Sequence, residues 1–117
     1  DIASLVFAAT EHVNEPPNAV NDFFTVEWKT SANPLNVTGN DSDPDGTLVS
    51  SSLTIVTTPI TPQSSAWVDE TSPGSGIFVV YYTPKTGFKG TDYFTYSICD
   101  NEGACSEAEV WVNVVKP

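Results

Sequence analysis

No stretch of this chain places apolar residues at i, i+3, i+4 and i+7 for as much as three turns, and that absence constrains the fold more than any motif does. Short runs rich in Val, Ile, Thr, Tyr, Phe and Trp are instead interrupted by nine prolines and seven glycines. β-Branched and aromatic side chains suit a pleated, half-buried surface, and Pro and Gly mark where strands stop. The chain is therefore expected to be all-β, with strands over residues 23–29, 34–38, 52–57, 65–69, 77–83, 92–99 and 105–115. Seven short strands within 117 residues, the length of one domain, predict a sandwich of antiparallel strands.

The last two runs set a register. Phe94, Tyr96 and Ile98 alternate in one, Ala108, Val110, Val112 and Val114 in the other, and these even-numbered positions are expected to form the core. Odd-numbered residues then face outward, among them Cys99 and Cys105 at the two ends of a five-residue connection. The two cysteines should face each other as a disulfide clamping the final hairpin, which implies an oxidising compartment outside the cytosol. The same register sets Tyr93 opposite Trp111 as a cross-strand aromatic pair.

The run Asn40-Asp41-Ser42-Asp43-Pro44-Asp45-Gly46 places three carboxylates at alternate positions ahead of a glycine. Calcium takes six to eight oxygen ligands, and alternating carboxylates with a glycine that lets the chain turn back suit it. A complete EF-hand loop needs Glu six positions after its glycine, where this chain has Ser52, so any further ligands come from elsewhere in the fold. The competing reading is a turn in which Asp and Asn side chains cap their own backbone around Pro-Asp-Gly.

Charge balance favours cations as partners. Four Lys plus Arg stand against fifteen Asp plus Glu, a formal charge of −11, and this argues against nucleic acid or an anionic membrane surface. No apolar run approaches the roughly 18 residues that a spanning helix needs. Residues 1–17, ending in Pro16-Pro17, read as a strand and linker from a preceding unit, with the domain itself over 18–117; the alternative is an ordinary first strand. A third reading makes residues 4–13 an unpaired edge strand that joins another chain.

From Pro17 onward the landmarks are Asn21-Asp22, Leu35-Asn-Val, Asn40 to Gly46, Tyr82-Thr-Pro84, Gly87-Phe88, Gly90-Thr-Asp92-Tyr-Phe94-Thr-Tyr96, Asp100 and Gly103. In this order they resemble the bacterial cadherin-like, immunoglobulin-like tandem repeats of large surface adhesins and multidomain secreted enzymes. The resemblance implies sandwiches joined end to end, many of them binding calcium, in extracellular proteins. It implies neighbouring repeats as partners, with cell-surface or matrix glycans or proteins beyond them.

In such a sandwich the start of the first strand, the second-to-third loop and the sixth-to-seventh loop share one pole. That pole gathers Asp22, Asp43, Asp45 and Asp100 as the foremost calcium ligands, with Asp41 and Asn21 next and Asn101 beside them. Asp92 falls at the opposite pole and is expected to bond its neighbouring turn, while Glu107 and Glu109 read as solvated surface. The single histidine, the lack of a nucleophile elbow and the lack of a phosphate loop leave no catalytic constellation, so the chain is not expected to be an enzyme. The alternative function is carbohydrate binding through outward-facing Trp111 and Tyr93, Trp28 and Trp67 being expected in the core or at sheet edges. Two sequons, at Asn36 and Asn40, bear on function only in a eukaryotic secreted host.

Overall fold

A computed structural model describes residues 12–117. It contains β1 (Asp22–Glu27), β2 (Asn33–Leu35), β3 (Leu48–Thr57), β4 (Ser65–Glu70), β5 (Phe78–Thr83), β6 (Gly90–Asp100) and β7 (Cys105–Val115). The strands form two sheets, β1-β7-β6-β3 and β2-β5-β4. The expected all-β sandwich of seven strands is what the chain forms. The strands do not all pair antiparallel: β1 runs parallel to β7, Asp22 opposite Val110 and Glu27 opposite Val115. Among the described residues no helix is long and apolar enough to cross a membrane. The proposed edge strand over residues 4–13 lies almost wholly outside the described residues.

The core sits where the alternation put it. Phe94, Tyr96, Ile98, Ala108, Val110, Val112 and Val114 are all buried, joined from the facing sheet by Leu35, Val80 and Tyr82. Strand lengths depart from expectation for local reasons. β2 shrinks to three residues on the sheet edge, where Pro34, which has no N–H to donate, is tolerated. β3 begins earlier, at Leu48, and its register with β6 breaks between Val49 and Thr54. Inside that irregularity the Ser52 hydroxyl replaces a strand partner, accepting from the Cys99 amide at 2.8 Å.

Cys99 and Cys105 are disulfide-bonded, in the register expected of the final hairpin. Tyr93 lies against Trp111 with ring centroids 4.6 Å apart. The other two tryptophans lie where expected, Trp67 on the edge strand β4 and Trp28 against the core. Trp67 is 37% exposed and stacks on Tyr81 at 5.9 Å on the other sheet's outer face. Trp28 is half-buried against the core and sits beneath Lys29, Lys89 and Lys116, all within 5.5 Å of its ring centroid. Strand directions place those lysines, at the end of β1, the start of β6 and the end of β7, at one pole. The Asn40–Gly46 loop, the start of β1 and the β6–β7 turn lie at the other, since Leu48 pairs with Asp100 and Asp22 with Val110.

Candidate metal centre

The acidic pole resolves into two separate groups. In the first, Asp43, Asp45 and Asp100 bring carboxylate oxygens within 4.8 Å of one another. Asp100, at the end of β6, is 3% exposed. One of its oxygens accepts the backbone amides of Glu102 and Ala104 at 2.9 and 3.0 Å, closing the β6–β7 turn, and the other accepts the Asn14 side-chain amide at 2.8 Å. Burial pushes its carboxyl up, but these donors outweigh burial and hold it below the usual carboxylate range. Asp43 moves the other way: burial first, then contact with Asp45 and with the charge of Asp100, raise it. The two neighbouring carboxyls are thus shifted in opposite directions by their surroundings.

Asp43 Oδ1 accepts the amide of Asp45 at 3.2 Å, so the expected self-capping turn is present. Its other oxygen, Oδ2, is buried and has no hydrogen-bond partner among the described residues, and neither has the buried Oδ1 of Asn14. An unpaired buried acceptor costs about 1–3 kcal/mol, and two of them bracket Asp100. Gly46 leaves room for the site: a Cβ there would displace the Asn101 side-chain oxygen and lie 3.2 Å from Asp43 Oδ1. Its φ is not among the positive ones, so the turning role expected for this glycine gives way to close approach.

The chain ahead of β1 is fastened to this pole. The Glu15 amide donates to Asp45 at 3.0 Å, Asn18 and Ser42 exchange backbone hydrogen bonds, and the Ser106 hydroxyl donates to the Pro17 carbonyl at 2.7 Å. His12 lies 2.8 Å from Glu102 and 3.6 Å from Asp45, and its hydrogen bond to Glu102 raises its pKa. Asn14, His12 and Glu102 were not legible as members of the site, because each is brought there by contacts spanning some 30 to 90 residues. Pro16-Pro17 marks a linker-like segment in the sequence, but nothing in it marks these residues as part of a site.

The second group is Asp22 with Asp41, and neither joins the first among the described residues. Asp41 is fully used: one oxygen accepts the Val20 amide at 2.7 Å, the other the buried Tyr96 hydroxyl in a short hydrogen bond. Asp22 is 6% exposed, with Oδ2 unpartnered among the described residues. Burial and the Asp41 charge push its carboxyl up to about 7. Asn21 is engaged elsewhere, its Oδ1 accepting the Glu109 amide at 2.9 Å on the sheet face. Glu109 is therefore not merely solvated: it also accepts the Tyr93 hydroxyl at 3.1 Å. Asp92 is at the far pole as expected, 0% exposed, accepting from Tyr82 Oη at 2.6 Å and from the Thr61 amide at 3.0 Å.

Two integrin beta-like proteins of Dictyostelium discoideum, E and C, are each 34% identical to the chain over 90 residues. The match takes in 69% of this chain and 4% of each relative, so the chain spans a small part of their length. Residues 14–113 match the family described as bacterial Ig domain, a structural and non-catalytic fold family. The matched span begins at Asn14, inside the segment read from sequence as linker. The chain belongs to the bacterial Ig domain family.

Proposed function

We propose that this chain is a calcium-stiffened structural repeat of an extracellular, adhesive multidomain protein. The observation that carries the reading is the pair of buried, unpartnered oxygens, Asp43 Oδ2 and Asn14 Oδ1, beside Asp45 and Asp100. Carboxylate and amide oxygens with no sulfur or neutral imidazole among them are a hard donor set suited to calcium. Asp43, Asp45, Asp100 and Asn14 form the proposed shell, completed by backbone carbonyls; Asp22, Asp41 and Asn21 fall outside it.

The four ligands come from three places: the segment before β1, the β2–β3 loop and the end of β6. An ion held among them ties the entering chain to the body of the sandwich, so the junction with a preceding unit becomes stiffer when calcium binds. Extracellular calcium modules work with dissociation constants of about 10⁻⁴–10⁻³ M, which a partly exposed site of this kind can meet. Membership of a structural repeat family and the disulfide support an extracellular setting.

Thermal unfolding with chelator, calcium and magnesium tests the reading, because an ion that binds only the native state raises its midpoint with concentration. A calcium-dependent rise that equal magnesium does not reproduce is expected. An unchanged midpoint in millimolar calcium would reduce the loop to a turn.

A further inference from the structure

The outer face of the β1-β7-β6 sheet carries an aromatic ridge that the metal reading does not use. Phe23, Trp111 and Tyr93 occupy one register line across three neighbouring strands. Strands lie about 4.8 Å apart, so the ridge runs roughly 10 Å. Phe23 is 77% exposed, which a lone sandwich has no folding reason to maintain, and sequence reading overlooked it. Its position at the start of β1, one residue after buried Asp22, is the signal that could have found it.

Polar lines flank the ridge on both sides. On one side Thr25, Asn113 and Thr91 share the next register line, and with Phe23 and Trp111 they border an open depression of roughly 270 Å³. On the other side Asn21, Glu109 and Thr95 border a second depression of roughly 460 Å³, with Tyr93 as its wall. Asn21 and Glu109 hold each other in place, and Tyr93 donates to Glu109, so these polar groups are fixed beside the rings.

We propose that this ridge binds an uncharged oligosaccharide. A pyranose ring has an apolar C–H face suited to an aromatic plane and a rim of hydroxyls that both donate and accept. Amide and hydroxyl groups lie on both sides of the ridge, with carboxylates on one, to meet that rim. Charge selects the ligand further. Glu107 and Glu109 lie on this face, and no lysine lines either depression. Sulfated or uronate glycans and phosphate headgroups are repelled, whereas neutral hexose and N-acetylhexosamine chains are not. The rows of hydroxyl and amide groups suit a sugar better than the apolar side chains of a protein partner. Along β6 this site lies well away from Asp100 and the proposed calcium group, and the proposal stands whether or not calcium binds there.

Intrinsic tryptophan fluorescence and calorimetry of the whole chain, titrated with hexamers of cellulose, xylan, mannan, amylose and chitin, test the proposal, with a heparin hexamer as charged control. Saturable binding of at least one neutral hexamer is expected, unaffected by chelator and unchanged in Trp67→Ala on the other sheet. Phe23→Ala, at a position too exposed to endanger folding, and Trp111→Ala should each weaken it by about tenfold, the equivalent of one lost aromatic contact. The proposal is overturned if no neutral hexamer binds at millimolar concentration, if Phe23→Ala binds as well as the parent, or if heparin binds more tightly. A concentration-dependent dimer dispersed by Phe23→Ala, with no sugar binding, also overturns it in favour of a second copy as occupant.

Discussion

Asp22 and Asp92 are both buried carboxylates with opposite circumstances. Asp92 has its acceptors filled by Tyr82, the Thr61 amide and the Tyr93 amide. Asp92→Ala strands the Tyr82 hydroxyl and the Thr61 amide in the interior. It should cost on the order of 3 kcal/mol in denaturant unfolding, to the same extent with and without calcium. Asp22 has an unpartnered oxygen and a neighbour of like charge, and burial followed by that charge raises its carboxyl from 3.8 to about 7. A carboxylate raised on folding stabilises the native state while protonated. Its contribution is complete below the unfolded value and is lost as pH rises through about 7. In chelator the thermal midpoint should therefore fall between about pH 5 and pH 8. His12, also raised, adds to the fall. Asp22→Asn should flatten much of that slope and raise the midpoint at pH 8; an unchanged slope would show that Asp22 is already ionised without cost.

At the scale of elements the β6–β7 hairpin was the most legible part of the molecule, because both strands alternate over eleven residues and a disulfide joins facing odd positions. Closing a loop of that six-residue separation restricts the unfolded chain by about 2 kcal/mol in the chain-entropy account. The Cys99→Ala, Cys105→Ala double variant should lose about that much in urea unfolding while keeping its calcium response, since neither sulfur belongs to the metal group. The parallel pairing of β1 with β7 was not legible. It joins residues some 88 positions apart, and no turn between them advertises it. Asn14 was missed for the same reason, since nothing local distinguishes an asparagine that will reach Asp100 across the fold. The acidic loop itself was legible as three alternating carboxylates. Which of them converge was not: Asp43 and Asp45 turn toward Asp100, while Asp41 turns toward Tyr96. That division depends on where the loop lies against β6.

The whole molecule is electrically polar. All four lysines flank strand ends at one pole, three of them around Trp28, while both carboxylate groups occupy the other. A formal charge of −11 means that concentrating carboxylates at one end works against the compact state until something neutralises them. Salt alone should thus raise the midpoint of the calcium-free chain modestly, and sodium chloride in chelator measures that unspecific share. A specific ion must do more than salt, and it must depend on the oxygens left without partners. The most direct measurement is a calorimetric calcium titration of the parent chain beside Asp43→Asn and Asn14→Ala at fixed ionic strength. Saturable binding by the parent that either substitution weakens by tenfold or more is the predicted result. Binding of equal strength in all three, or no heat of binding in the parent, would contradict the assignment of these oxygens to calcium.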